Sequence, residues 1–237
     1  MDAAMYKALS GAVAQMRKLE VASQDLANVN TSGYKGQRLA FSEVLAARLP
    51  PGTRSGGFAA VGAQRTNFLQ GDLQSTGNPF HLAIDGDGYF VVETTRGESY
   101  TRSGGFTLNA EGTVITSQGD PLLGEGGPIQ VTGGKMDVGL DGTVRSENGE
   151  VGKLRIVRFL DTRRVAKEGA NLLRADAANV EDVATPRVAQ GSLEQSNVNP
   201  IDSMVSMITI QRQFEAYERA MKLMDGATQK MIADAAR

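Results

Sequence analysis

The chain has 237 residues, 41% hydrophobic and 22% charged, enough to bury a core in one large domain or two modest ones and too apolar for wholesale disorder. Its 25 basic and 27 acidic residues are interspersed, and the formal charge of −2 argues against a nucleic-acid surface. Cysteine is absent, which excludes disulfides, thiolate metal sites and cysteine catalysis, and no apolar run reaches the roughly 18 residues of a membrane span.

The opening Met1-Asp2-Ala3-Ala4-Met5-Tyr6-Lys7 has neither a basic n-region nor an apolar h-region, so a cleavable signal peptide is not expected. Residues 2–29 read as a helix. Met5, Leu9, Ala12, Met16, Leu19, Ser23 and Leu26 step by fours and threes, the spacing of a coiled-coil seam, and Ala4, Ala8, Gly11 and Ala12 would let another helix approach closely. The pattern stops at Asn28-Val29-Asn30-Thr31-Ser32-Gly33, residue types that tolerate turn and left-handed conformations. Tyr34–Arg38 then reads as extended chain, and Pro50-Pro51-Gly52 through Gly57 as a loop or hinge.

The middle of the chain changes character. Of 28 glycines, 23 fall between Gly52 and Gly169, where short β-forming runs alternate with turn signals. Leu82-Ala83-Ile84, Tyr89–Glu93, Ser99–Arg102, Thr113–Thr116, Ile129–Val131, Met136–Leu140, Val144–Ser146 and Lys153–Leu160 are separated by Asp-Gly, Glu-Gly and Arg-Gly turns, which indicates short antiparallel strands with hairpins. One internal echo flanks this region: Gln70-Gly71-Asp72-Leu73-Gln74-Ser75-Thr76-Gly77-Asn78-Pro79 resembles Gln190-Gly191-Ser192-Leu193-Glu194-Gln195-Ser196-Asn197-Val198-Asn199-Pro200. Segments that leave and rejoin a helical module are placed this way.

The last stretch, from Asn199, runs to the end without another proline beyond Pro200. Asn199 suits an N-cap, Pro200 the first helical position, and Asp202 the positive end of the helix dipole. Met207, Ile210, Phe214, Tyr217, Met221, Met224, Thr228 and Met231 alternate steps of three and four, a second seam that needs a partner.

Candidate chemistry is sparse. His81 is the only histidine, and no serine or aspartate spacing around it suggests a triad. Asp85-Gly86-Asp87-Gly88 resembles a calcium loop, but the third ligand falls on Tyr89 and no glutamate occupies the twelfth position, so a hairpin turn is the preferred reading. Gly124–Pro128 lacks the Lys-Ser/Thr of a phosphate loop, and no carboxylate pair marks a general acid and base. No catalytic, cofactor-binding or metal-ligating residue is assigned, and no cofactor or small-molecule substrate is expected.

Five stretches carry a family resemblance. Ala27-Asn28-Val29-Asn30-Thr31-Ser32-Gly33-Tyr34-Lys35 is similar to the signature that closes the N-terminal helix of bacterial flagellar rod and hook proteins. Asn78–Val92 resembles the start of their β domain. Tyr100-Thr101-Arg102-Ser103-Gly104-Gly105-Phe106, Gly191–Val198 and the helix around Met207–Glu218 continue the match in order. Within the family, the opening residues, the length and Gly124–Ile129 look most like the proximal-rod members, with the distal-rod members as near relatives.

The expected fold class is therefore α+β: two long, coiled-coil-like terminal helices forming a discontinuous module of residues 1–35 and 192–237, extended connectors over 36–79 and 180–191, and a central all-β domain of short antiparallel strands over 80–179. The resemblance implies a non-enzymatic structural subunit of the periplasmic basal-body rod. Its implied partners are further copies, other rod proteins and the flagellar type III export apparatus. Helix packing and assembly would use Met5, Leu9, Met16, Leu19 and Leu26, with Met207, Ile210, Phe214, Tyr217, Met221 and Met224; Asn28, Asn30, Thr31, Gly33 and Tyr34 would shape the turn. A secreted β-rich binding module with a helical oligomerising stalk is the alternative from another class, and a hydrolase with an undetected carboxylate pair is a distant third.

Overall fold

The computed structural model describes residues 3–44, 58–169 and 171–235. Its architecture is α+β: an N-terminal helix, a C-terminal helix and a central antiparallel β-rich region. Two units separate by their contacts, one of Met1–Ala27, Gln37–Thr66 and Asn199–Arg237, the other of Asn28–Gly36 and Asn67–Val198.

The first unit holds α1 (Ala3–Ala27), α2 (Pro200–Ala235) and a hairpin of β1 (Gln37–Val44) and β2 (Phe58–Thr66). α2 starts where the sequence signals it: the Asn199 side chain accepts from the Ile201 N–H at 2.9 Å, with Pro200 in the first helical position. Its 36 residues make a rod about 54 Å long at 1.5 Å per residue. The Asp25 carboxylate near the end of α1 receives the Gln37 N–H that opens β1, tying helix to hairpin. The side chains of Met5, Thr228 and Met231, and the loop expected over Pro50–Gly57, lie outside the described residues.

The second unit adds β3 (Leu73–Ser75), β4 (Leu82–Ile84), β5 (Tyr89–Thr94) and β6 (Gly97–Thr101). A six-stranded antiparallel sheet runs Ala166–Gly169, Leu172–Arg174, β6, β5, Ile156–Phe159, Val180–Asp182. The unbroken apolar run at the start of β5 is explained by burial on both faces. Phe90 and Val92 enter one core with Leu82, Phe106, Val114 and Leu122; Tyr89 and Val91 enter a second with Tyr100, Val157 and Leu173. The expected hairpins form at Glu111-Gly112, between Thr107–Leu108 and Val114–Ile115, and at Asp141-Gly142, between Met136–Val138 and Thr143–Ser146. Asp85–Gly88 departs from expectation. β4 pairs with Val188–Gln190 and β5 with β6, so this turn passes between two sheets and is no hairpin.

The two echo segments pair with each other, β3 running antiparallel to Ser192–Glu194. Their leading glutamines act alike. Gln70 donates to Ile84 O and accepts from Gly86 N–H, while Gln190 donates to Met136 O and accepts from Val138 N–H. Each carboxamide thus pairs with a carbonyl and the N–H two residues on, as the peptide of a neighbouring strand would.

Phe106, 1% exposed and edge-to-face with Phe90 at 5.2 Å between ring centroids, closes the first core. Phe106→Ala is expected to lower the stability of the β unit by about 3–5 kcal/mol in urea unfolding, whereas Leu160→Ala, at an exposed position, should stay within about 0.5 kcal/mol.

Candidate functional site

Two features of the described residues can carry function: the faces of the terminal helices, and a buried ion cluster in the β unit. The face of α1 that is buried is built mainly from small residues. Ala8, Gly11, Ala12 and Gln15 fall on one stripe, and a Cβ added at Gly11 would stand 2.6 Å from the Tyr217 ring of α2. On α2 the stripe turned inward is Met207, Ile210, Phe214, Tyr217 and Met221, with Ile210 buried and the rest half-buried. Glycine at position 11 therefore sets how near the two axes come.

Both helices carry a second apolar stripe left in solvent within this chain. On α1 it is Leu9, Val13 and Met16, each about half exposed. On α2 it is Ile201, Met204, Val205 and Ile208, spaced three, four and seven residues from the first and all more than half exposed.

The cluster forms where Asn28–Gly36 lies on the β unit as a strap. The Asn28 carbonyl accepts from Thr31 N–H and the Thr31 carbonyl from Tyr34 N–H, which turns the chain out of the helix. Gly33 has φ +68° and a Cβ there would lie 2.3 Å from Ser103 N, so only glycine fits. Its N–H donates to Glu194 O at 2.7 Å, and Tyr34 is buried with the Lys167 ammonium over its ring. Lys35 then reaches Glu194 Oε1 at 2.5 Å and Leu69 O at 2.7 Å. Arg102 reaches Glu194 Oε2 at 2.8 Å and the carbonyls of Ile84 and Gly86, its guanidinium 5.0 Å from the Tyr89 ring centre. Gly71 N–H adds a further donor to Oε1. The three charged side chains are 1–4% exposed.

Two buried cations share one carboxylate. Desolvation draws the Lys35 ammonium below the ordinary lysine range, and the bond it donates to Glu194 opposes that pull. Burial likewise pushes the Tyr89 phenol up to about 12, with Arg102 drawing it back. The cluster holds charge in place and offers no nucleophile with an adjacent base; among the described residues no acidic or histidine group is arranged to hold a metal.

Three family models match the chain: flagella basal body rod protein over residues 5–35, flagellar hook protein FlgE/F/G D1 domain over 83–146, and flagellar basal body rod FlgEFG protein C-terminal over 189–234. The flagellar basal-body rod protein FlgF of Caulobacter vibrioides is 36% identical over 97% of this chain and 95% of its own length. The chain belongs to the flagellar basal-body rod protein family. FlgF of Mesorhizobium japonicum is 32% identical over 91% of the chain and 90% of its own length. The rod protein FlgG of Bacillus subtilis is 33% identical over 96% and 97%.

In this rod-family chain the structure distributes the residues singled out from sequence. Leu9 and Met16 are half exposed, Leu19 and Leu26 half-buried, and Met224 exposed by 38%. Of the turn residues, Gly33 and Tyr34 are buried, Asn28 and Thr31 half-buried, and Asn30 exposed. Sequence reasoning overlooked the ion cluster, although Lys35, Arg102 and Glu194 each sit inside a stretch that carried the family resemblance. The available signal was a charged residue within otherwise turn-like or apolar motifs.

Glu194→Ala strands two buried cations and is expected to cost about 3–5 kcal/mol in equilibrium unfolding, clearly more than Lys35→Met, which leaves the Glu194–Arg102 pair intact. For Tyr89 the folded value of about 12 lies above the unfolded value of 10.0, so the folded state binds the extra proton between them. Its contribution is fully present below the unfolded value and is lost as pH rises through that window. Tyr89→Phe should therefore flatten the loss of stability between those two values, read from urea midpoints across the alkaline range.

Proposed function

We propose that the chain builds the proximal segment of the flagellar basal-body rod by adding axially to further copies and to other rod proteins through its terminal helices. Membership of the rod family makes it a structural protein of the basal-body rod. The observation that carries the mode of assembly is the second apolar stripe on each helix. Full burial of a large apolar side chain is worth about 1.5–3 kcal/mol, so Leu9, Val13 and Met16 with Ile201, Met204, Val205 and Ile208 represent a substantial unrealised gain. Two different stripes on one chain favour heterologous contacts, which repeat along an axis instead of closing. The inward stripe from Met207 to Met221 serves packing within the subunit, in a coiled-coil-like manner.

The division of labour belongs to the same proposal: residues 1–35 and 192–237 form the polymerising module, and the β domain over 80–179 is joined to it by the connectors. Resemblance of the opening residues and of Gly124–Ile129 supports the proximal over the distal position. Delivery through the flagellar type III export apparatus to a periplasmic rod belongs to the same proposal, as does a purely mechanical role without catalysis.

Ile208→Glu and Leu9→Glu alter only exposed positions. Each purified variant is expected to keep the wild-type circular dichroism spectrum and thermal midpoint, while cells carrying it fail to extend rods and do not spread on soft agar. Normal spreading by both variants would sink the assembly proposal. Phe214→Glu, on the inward face, should abolish spreading as well and, unlike them, lower helicity.

A further inference from the structure

The chain passes between its two units at four points: 27/28, 36/37, 66/67 and 198/199. Residues at three of these points meet around one side chain in the β unit. Asn197 Oδ1 accepts from Gly36 N–H at 2.8 Å. Its Nδ2 donates to Asn67 O and to Leu69 O, both at 2.8 Å, and its own N–H donates to Tyr34 O at 3.3 Å. Asn67 N–H in turn donates to Gly36 O at 2.8 Å. Val198, the next residue, is the last of the unit.

The carboxamide has no freedom of orientation here. Reversed, it would set its oxygen against two carbonyls and its NH2 against an N–H, so every donor and acceptor of the side chain is committed to a crossing segment. A connection of several unsupported strands bends easily, because each peptide retains two soft dihedrals. Strands cross-linked at one point share the displacement and stiffen together.

We propose that Asn197 is the positioning residue of the β unit where the chain crosses its boundary, holding the segments that leave it at Gly36 and Val198 and the segment that enters it at Asn67 in fixed register, so that torque carried by the chain enters the unit through a clamped bundle. This rests on the reading of the chain as a rod subunit only for its mechanical consequence; the clamp itself belongs to the isolated protein.

Two variants of the full chain test it by hydrogen exchange and by swimming. Asn197→Ala removes all three side-chain bonds, and Asn197→Asp keeps the shape and the acceptor but sets a carboxylate against the carbonyls of Asn67 and Leu69. Both are expected to speed exchange in peptides containing Gly36 and Asn67 by at least about tenfold, with peptides over Phe90–Val92 unchanged. Cells carrying either variant should assemble flagella and swim in dilute buffer but slow more steeply than wild type as viscosity rises. Wild-type exchange with Asn197→Asp would reduce Asn197 to a space-filling group and overturn the clamp. Faster exchange with wild-type swimming at every viscosity would overturn the transmission of torque. Absence of the wild-type chain from purified basal bodies would instead remove the rod reading and leave the exchange result standing.

Discussion

A carboxylate removed from water is among the most expensive groups a fold can hold, and Glu194 is 1% exposed. Its cost is offset only because Lys35 and Arg102 reach it from two distant parts of the chain and Gly71 N–H completes its shell. Arginine is the residue suited to position 102, since its planar fork serves Glu194 and the carbonyls of Ile84 and Gly86 together, which a point-like ammonium does not do. The strap, β3, β4 and the strand Ser192–Glu194 are thereby held to a single electrostatic centre. Excess positive charge remains buried: desolvation depresses the Lys35 ammonium, repulsion from Arg102 adds to it, and the Arg102 guanidinium faces the Tyr89 ring.

The helical unit follows a different physical rule. Its inner contact is governed by how close the backbones come, so Gly11 faces Tyr217 and Ala8 and Ala12 are buried on the same stripe, while Leu9, Val13 and Met16 stay about half exposed. Leu9 and Met16 belong to the same heptad pattern as Ala12, yet a straight helix has 3.6 residues per turn, and the face chosen for contact is the one with least bulk. The apolar side chains left outside on both helices are the physical basis for reading them as assembly surfaces.

Much of the organisation was legible in the residues themselves. Periodicity, Asn199 with Pro200, and the glycine-punctuated β region mark both helices and the antiparallel middle, because propensity, capping and turn chemistry act over a few residues. The echo of Gln70–Ser75 in Gln190–Gln195 is likewise visible as text, and the structure gives it meaning by pairing the two copies.

Sheet membership and burial of charge were not legible. Asp85–Gly88 has the composition of a hairpin, but its flanking strands join different sheets because β4 finds a better partner at Val188–Gln190. Lys35 and Glu194 are separated by 159 positions, Arg102 and Glu194 by 92, and no local pattern announces such pairs. The sequence by itself determined the two terminal helices, the capped start of α2, the antiparallel β middle and the family. Only the tertiary structure decided which helix faces remain open and where the charges are buried, since both depend on contacts between segments whose spacing along the chain carries no signal.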